Sequence, residues 1–274
     1  MKYLKPAFFI IGERKCATSS LYRWLIAHPQ VLPCRLKEPQ YFSRPAWFRW
    51  SRRNWYRSLF PETDAQEAVI EWFVPDGQGF VKQALTIPRD PELPCITGEA
   101  SANTFAQVPP ERLHKALPEA HLILCLRHPV DRAYAHYRML ARFAAEGRRI
   151  PFRVTNFRDD FRADIKRPNG GYFAGVSLYT ERLKRWTSIY GRECITIVRM
   201  EDLQDIRSAQ AILGQICAAL GIGLFDFSTI LETKENVSGE QLHDKVLRQE
   251  LMVFFADDIR ALETFTGRNF QWTP

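Results

Sequence analysis

The sequence predicts an α/β fold in which a central parallel sheet is flanked by helices on both faces. Apolar runs of strand length recur along the chain, and each is followed by a short turn and a segment with helical spacing of apolar residues. This alternation is typical of a parallel sheet, whose strands are joined by crossover helices and covered on both faces. With 274 residues, of which 46% are hydrophobic, the chain can bury a full core, and we expect one domain over residues 1–274.

The first strand is predicted over Ala7 to Ile11, ending at Gly12, and it is followed by a loop over Glu13 to Ala17. Thr18 and Ser19 are residue types that cap helices, and a helical pattern follows until His28-Pro29 stops it. A strand, a short loop and a helix N-terminus bring backbone N–H groups and the positive end of the helix dipole to one point. The opening of the chain therefore predicts an anion-binding loop.

Two further strand and helix pairs follow the same plan. A buried strand is predicted over Leu122 to Leu126, a turn over Arg127 to Pro129, and a helix over Val130 to Phe143. A third strand over Ile195 to Met200 precedes a helix from about Ser208 to Leu220. These three units give the predicted sheet its parallel strands.

Two connections are longer than usual, at residues 44–95 and 147–176, and we expect them to build an acceptor site or a lid. Within the first, residues 44–55 interleave aromatic side chains with arginines. One interpretation is an acceptor surface for a sugar or an acidic group, and another is a membrane or nucleic-acid surface. A third is that the aromatics pack onto the core beneath a solvated basic face.

The net charge of +7 favours an anionic ligand but does not select one class of ligand. The apolar runs are too short to cross a bilayer, and the N-terminus does not resemble a secretory signal. We therefore expect a cytoplasmic protein with no stable membrane insertion and no nucleic-acid partner. The six histidines lack metal-ligand spacing, so we expect no metal. Nothing indicates the oligomeric state.

The loop after the first strand has the chemistry of a phosphate or sulfate site. Lys15 offers a point charge, and Thr18, Ser19 and Ser20 offer hydroxyl donors. The spacing differs from a Walker A loop, and the second strand ends in Arg127 rather than in the Asp that would hold magnesium, which disfavours an ATP- or GTP-dependent kinase. The alternative is a capped helix with a surface lysine.

The segment Arg14 to Leu21 resembles the 5′-phosphosulfate loop of sulfotransferases that use 3′-phosphoadenosine-5′-phosphosulfate (PAPS), in particular the heparan-sulfate type and its bacterial relatives. The segment Leu126 to Tyr137 is similar to the 3′-phosphate motif of this family. Other blocks of the chain resemble the family in the same order: Lys37 to Phe42, Trp55 to Pro61, Gly98 to Asn103, Ser177 to Trp186, and Gly267 to Trp272.

The resemblance implies a P-loop-like three-layer fold and a transferase that moves a sulfuryl group from PAPS to a hydroxyl or amine. A carbohydrate acceptor, the product PAP and an in-line displacement without metal are also implied. The implied catalytic residues are Lys15 and Glu38. The implied cofactor-binding residues are Arg14, Lys15, Cys16, Ala17, Thr18, Ser19, Ser20, Arg127, Ala135, Tyr179 and Lys234. The implied substrate-binding residues are Lys37, Trp55 and Glu99.

Each role has an alternative. We expect Lys15 on the bridging oxygen of the phosphosulfate and Arg127 on the 3′-phosphate, where the alternative for Arg127 is a surface arginine at a strand end. The resemblance makes Glu38 the general base, and the alternative is a simple ion pair with Lys37. Glu99 is a second candidate for the general base, and the alternative is that it braces the lysine loop.

Two positions depart from the family pattern. Ala17 stands where the family has glycine, so we expect a backbone angle that a β-carbon tolerates. Ala135 replaces a serine that hydrogen-bonds the 3′-phosphate, a loss of about 1 kcal/mol unless His136 or a nearby lysine compensates. The open alternatives are a lipid, phenol or other small-molecule acceptor, and a non-catalytic relative that binds PAP or another anion.

Overall fold

A five-stranded parallel sheet forms the centre of the fold in the computed structural model, which describes residues 2–75, 80–150, 153–167, 171–232 and 241–272. The sheet strands are β1 (Pro6–Gly12), β2 (Val31–Pro33), β5 (Ile96–Ala100), β6 (His121–Leu126) and β7 (Ile195–Arg199). A separate antiparallel pair joins β3 (Glu67–Pro75) and β4 (Phe80–Pro88). The strand order β2-β5-β1-β6-β7, with every neighbouring pair parallel, confirms the predicted sheet.

Helices connect and cover these strands. They are α1 (Thr18–Leu25), α2 (Ala46–Ser51), α3 (Arg53–Arg57), α4 (Thr104–Gln107), α5 (Pro110–Ala116), α6 (Pro129–Ala145), α7 (Phe157–Ile165), α8 (Thr180–Tyr190), α9 (Ile206–Ala219), α10 (Ser228–Glu232) and α11 (Lys245–Thr266). The third predicted strand is one residue shorter than expected, because Met200 opens a 3₁₀ turn.

The central strands are buried on both faces. Residues 8–11 of β1 and residues 122–126 of β6 have no exposed surface. Full burial of one such side chain stabilises the fold by about 2 kcal/mol, which explains why these strands are continuous apolar runs. Gly98 in β5 is required by packing, since a β-carbon there would lie 2.4 Å from the ring of Phe8.

Two compact units divide the chain. Unit 1 comprises Met1–Glu13, Ala17–Leu126 and Ile189–Val237, and it contains the sheet, with α1 and α4 packed against β1. Unit 2 comprises Arg14–Cys16, Arg127–Ser188 and Ser238–Pro274, and in it α6 packs against α11. The expectation of one domain over residues 1–274 stays a prediction.

The two long connections contain secondary structure of their own. Residues 44–95 hold α2, α3, β3 and β4, and residues 147–176 hold α7. In unit 2 the buried carboxylate of Asp164 accepts backbone N–H bonds from Tyr172, Phe173 and Ala174 at 2.8–2.9 Å, which shapes the chain after α7. A lid or acceptor role for either connection stays a prediction.

Candidate functional site

The loop that carries Lys15 has an unusual backbone. Lys15 has φ 71° and Ala17 has φ 59°, both in the left-handed region that favours glycine. A residue with a side chain is less stable there by about 1–2 kcal/mol. Ala17 therefore adopts the left-handed conformation that glycine favours. The loop keeps this conformation although Ala17 carries a β-carbon.

Helix α1 begins at Thr18 and has no side-chain cap. The residue flanking the helix is Ala17, which has no side-chain acceptor, and no side-chain hydrogen bond caps this end in the described structure. The predicted capping by Thr18 and Ser19 is therefore wrong, because both lie inside the first turn together with Ser20. Cys16, just before it, is buried, with its Sγ 3.8 Å from the carbonyl oxygen of Arg14.

Two buried arginines hold the carbonyl oxygens of the lysine loop. Arg127, 3% exposed, donates from Nη1 to the carbonyl of Lys15 at 3.3 Å. Arg132, fully buried, donates to the carbonyl of Arg14 at 3.5 Å, to Ser177 Oγ at 2.6 Å and to the carbonyl of Phe173. All these acceptors of Arg132 are neutral, and no carboxylate within the described ranges forms an ion pair with it. A buried charge is normally neutralised, so this arrangement favours an anionic ligand.

Tyr179 joins the same part of unit 2. It is buried, and its hydroxyl donates to the carbonyl oxygen of Arg127 at 2.9 Å. Its backbone N–H donates to Asp258 Oδ2 at 2.7 Å. The structure therefore brings together three of the predicted cofactor-binding residues, Lys15, Arg127 and Tyr179.

Ala135 and His136 lie on α6, and both are buried. The Nδ1 atom of His136 has no hydrogen-bond partner among the residues that the structure describes. Burial lowers the pKa of His136 well below its ordinary value, and the nearby charges of Arg132, Arg14 and Lys15 lower it further. We call Arg14, Lys15, Arg127, Arg132 and His136 the cation cluster.

The second strained loop carries Glu38. Glu38 has φ 55° and Gln40 has φ 51°, again in the left-handed region. The backbone N–H of Glu38 donates to the carbonyl of Ala100 at 3.2 Å, and that of Gln40 donates to Ser101 Oγ at 3.1 Å. Lys37 Nζ lies 3.2 Å from Glu38 Oε1, so the ion pair considered as an alternative is present. The end of β5 therefore fixes this loop.

Glu99 is the fully buried carboxylate beside that loop. It accepts hydrogen bonds of 2.5 Å from the hydroxyls of Tyr56 and Ser101. Burial raises the pKa of Glu99 to about 7; the two hydroxyl bonds oppose the shift, and the charge of Glu38 adds to it. Its described hydrogen bonds thus support the loop of Glu38, through Ser101, rather than the lysine loop. We call Glu38, Glu99, Tyr56 and Ser101 the carboxylate cluster.

The remaining predicted residues are more scattered. Trp55 lines a cleft of unit 1 together with Arg35, Leu36, Ser58, Leu59 and Glu71. Lys37 pairs with Glu38, as described above. Lys234 lies outside the described residues. Substrate contacts of Lys37, Trp55 and Glu99 stay predictions.

The sequence analysis did not assign a site role to Arg132, Tyr56 or Ser101. For Arg132 a signal exists in the sequence, since Arg132 and His136 are four residues apart on one face of a predicted helix. The hydrogen bond between Tyr56 and Glu99 joins residues 43 positions apart, so no local sequence pattern predicts it.

The described ranges contain no group of three or more His, Cys, Asp or Glu side chains placed to hold a metal ion. Among the helices of those same ranges, none has both the length and the hydropathy needed to traverse a bilayer. The absence of a metal and a cytoplasmic location stay predictions.

Comparison with known proteins gives a consistent result. A sequence profile of the Sulfotransferase family matches residues 6–226. Carbohydrate sulfotransferase 15 of Mus musculus is 28% identical over 229 residues, covering 72% of this chain and 40% of the relative. Bifunctional heparan sulfate N-deacetylase/N-sulfotransferase 3 of Homo sapiens is 30% identical over 138 residues, covering 48% of this chain and 13% of the relative.

A solved structure agrees along nearly the whole chain. The sulfotransferase from Alicyclobacillus acidocaldarius superposes with a TM-score of 0.65 at 27% identity, covering 96% of each chain. The chain spans less than half the length of the two curated relatives named above, whereas it covers 96% of the bacterial structure. The profile match, which extends over most of the sequence, shows that the chain belongs to the sulfotransferase family.

Proposed function

We propose that this enzyme transfers a sulfuryl group from PAPS to a hydroxyl or amine of a carbohydrate. In the proposed reaction the bond from sulfur to the bridging phosphate oxygen breaks, and a bond from sulfur to the acceptor atom forms. The acceptor's proton passes to Glu38, and PAP leaves.

The observation that best supports the proposal is the position of the strained backbone residues. Five non-glycine residues in the described ranges have positive φ, and four of them lie in the two loops that carry Lys15 and Glu38. The fifth, Gln271, lies near the C-terminus. Left-handed non-glycine residues persist only where surrounding structure compensates for them, and they concentrate at functional sites. The strain therefore singles out the same two loops as the family resemblance.

The cation cluster supports the donor half of the proposal. PAPS carries phosphate and sulfate groups, and Arg132 is a buried charge whose described acceptors are all neutral. In the proposed role Lys15 stabilises the charge that develops on the departing phosphate, and Arg127 pairs with the 3′-phosphate. The nearby His136, whose Nδ1 has no described partner, is available as the donor that Ala135 lacks.

The carboxylate cluster supports the acceptor half. Glu38 is partly exposed, with 31% of its side-chain surface accessible, whereas Glu99 is fully buried. A general base must reach its substrate, so Glu38 is the better candidate of the two. The ammonium group of Lys37 lies 3.2 Å from the carboxylate of Glu38, beside the position proposed for the base.

The proposal of a carbohydrate acceptor is based on the relatives, whose names describe carbohydrate and heparan sulfate sulfotransferases. A shared fold is weak evidence for a substrate, so the acceptor must be tested directly. The competing acceptors are lipids, phenols and other small molecules.

The test is transfer of labelled sulfate from PAPS to a panel of glycans, phenols and lipids. We expect product on a glycan, and Lys15→Ala should lower the turnover by about 10²–10³-fold because it removes charge stabilisation of the leaving group. Glu38→Gln should lower it by about 10²–10⁴-fold while leaving PAP binding intact. The exposed residues Lys5 and Glu119 supply the matched controls Lys5→Ala and Glu119→Gln.

Thermal stabilisation by ligands separates the competing activities. We expect PAP to raise the melting temperature and ATP with magnesium to have little effect, whereas a kinase would show the reverse. PAP binding without transfer to any acceptor would favour the non-catalytic relative, an alternative kept open by Ala135. Full turnover in Glu38→Gln would contradict the assignment of the base.

A further inference from the structure

One segment of unit 1 carries most of the net positive charge of the chain. Residues 39–61 contain five arginines and no acidic residue, while the whole chain has a net charge of +7, so the other residues together carry only +2. None of these arginines forms an ion pair with a carboxylate in the described parts of the chain. The arginines are Arg44, Arg49, Arg52, Arg53 and Arg57, and all except Arg49 are exposed. The segment is therefore a concentrated source of uncompensated positive potential.

Two tryptophans project from the same segment. Trp47 is 70% exposed and Trp50 is 85% exposed, and both lie on α2. Residues three apart on a helix share a face, so Trp47 and Trp50 lie on the same face of α2. Large aromatic side chains are rarely left in water, and a pair of them in a segment rich in exposed arginines indicates an interaction surface.

The inner side of the segment is firmly anchored without these tryptophans. Tyr41 stacks on Tyr56 with ring centroids 4.2 Å apart, and its hydroxyl donates to the carbonyl oxygen of Arg49 at 2.5 Å. The ring of Phe48 packs edge-on against Trp55 at 6.3 Å. Because other aromatics attach the segment, Trp47 and Trp50 are not needed for the core, and they are held on a preformed platform.

We propose that this Trp–Arg face, formed by Arg44, Trp47, Trp50, Arg52 and Arg53, docks the protein on the surface of an anionic lipid bilayer. Tryptophan favours the boundary between headgroups and acyl chains, and arginine is attracted to anionic headgroups. Each arginine at such a surface strengthens binding by about fivefold. This inference is independent of the sulfotransferase proposal.

The shape of the face favours a bilayer over an acidic glycan. Aromatic residues that bind sugars line a concave site, and the nearby cleft is lined by Trp55 rather than by Trp47 or Trp50. The two exposed rings project outward, which suits insertion into a broad, soft interface. The absence of a long apolar helix from the described ranges is consistent with docking on the surface rather than spanning.

The test is co-sedimentation of the full chain with vesicles of phosphatidylcholine alone and of phosphatidylcholine with phosphatidylglycerol. We expect binding to the anionic vesicles only, and weaker binding as salt rises from 0.1 to 1 M, because the screening length falls from about 10 Å to about 3 Å. Trp47→Ala/Trp50→Ala should weaken binding by at least about tenfold, and Arg52→Gln/Arg53→Gln by about 25-fold at low salt.

Matched controls come from elsewhere in unit 1. Leu224 is 88% exposed and Arg207 is exposed, so Leu224→Ala and Arg207→Gln change apolar surface and charge away from the face. These controls should bind as the wild type does, and circular dichroism should show that every variant is folded. Failure of the wild type to bind anionic vesicles would overturn the proposal, as would unchanged binding by both face variants. Binding to heparin that depends on Trp47 and Trp50, without vesicle binding, would overturn it in favour of a glycan surface.

Discussion

The cation cluster and the carboxylate cluster each place charge of one sign near a buried titratable group, and the sign is opposite in the two clusters. In the cation cluster burial and three positive neighbours lower the pKa of His136, and in the carboxylate cluster burial and Glu38 raise the pKa of Glu99 to about 7. In both places a buried titratable group moves toward its neutral form.

The difference between the clusters lies in the charge that remains. Arginine stays protonated throughout the accessible pH range, so the cation cluster keeps its charge when His136 is neutral. The carboxylate cluster can reduce its charge by taking up a proton on Glu99. A persistent positive site suits the binding of an anion, whereas a site that exchanges protons near neutral pH suits proton transfer. The comparison thus separates a binding role from a proton-transfer role.

The largest expected effect is at Arg132. Arg132→Met leaves the carbonyls of Phe173 and Arg14 and the hydroxyl of Ser177 without their donor, so we expect the free energy of unfolding to fall by about 3 kcal/mol or more. We also expect PAP to lose most of its stabilising effect, because the buried charge is gone. Urea denaturation with and without PAP measures both.

Asp164→Asn is the matched control for Arg132. Asp164 organises the same stretch of chain through Phe173 and Ala174 but carries no positive charge. Its replacement should lower stability while PAP still stabilises the protein by the wild-type increment. Equal PAP responses in the two variants would mean that the cation cluster does not bind the nucleotide.

The next effect is the pH dependence that Glu99 confers. Its pKa is raised from 4.5 to about 7 on folding, so the folded state binds more protons than the unfolded state between these values. The free energy of unfolding therefore falls as pH rises from about 4.5 to about 7, and at about 1.4 kcal/mol per pKa unit the loss reaches about 3 kcal/mol. Glu99→Gln should remove this loss, as measured by urea denaturation at several pH values.

The exposed Glu119 provides the control for that profile. Glu119→Gln should keep the wild-type pH dependence. A profile for Glu99→Gln that runs parallel to the wild type would show that Glu99 does not titrate as its surroundings indicate.

His136 should act in the opposite direction over an overlapping pH range. Its pKa is lowered on folding, so the unfolded state binds more protons below about 6.5, and stability is lost as pH falls. His136→Gln should reduce this acid sensitivity, whereas the exposed His243 provides a control, His243→Gln, that should not. The difference in the free energy of unfolding between a variant and the wild type, measured at each pH, gives the contribution of that cluster to the pH dependence of stability.

We also expect the binding of PAP to be coupled to the protonation of His136. An anion in the cation cluster favours the protonated imidazole, so lowering the pH from 7.5 to 6 should favour PAP binding more in the wild type than in His136→Gln, where only the PAP phosphates titrate. Calorimetry in two buffers of different ionisation enthalpy would detect the proton uptake. The same pH dependence of affinity in the wild type and in His136→Gln would place the PAP phosphates away from His136.

Much of the fold follows from local patterns, and the site follows only in part. Strands β1, β6 and β7 are apolar runs that hydrophobicity reveals, and the parallel sheet was predicted from them. Strand β5 was not predicted, because Thr97, Gly98 and Glu99 are polar or small although the fold buries them. The pair β3 and β4 lies in a connection that was expected only to build a lid or acceptor site.

The site residues divide in the same way. Lys15, Arg127 and Glu38 lie in sequence blocks that resemble the family, so the local sequence is enough to single them out. The contacts that fix them are not local: the bonds from Arg132 to Arg14 and from Tyr56 to Glu99 join residues 118 and 43 positions apart. Only the folded chain brings these partners together, so the sequence alone indicates the candidate reactive groups but not the residues that contact them.

The smallest expected effect concerns the backbone at Ala17, just before helix α1. Ala17→Gly relieves a left-handed conformation, worth about 1–2 kcal/mol, but adds flexibility to the unfolded chain, so we expect stability to rise by at most about 1 kcal/mol. The same substitution at Ala211, exposed on helix α9, should lower stability by about 1 kcal/mol. Thermal denaturation of both variants compares them directly. Opposite signs would show that the loop holds Ala17 against its intrinsic preference, and a loss at both positions would mean that the left-handed turn is not strained.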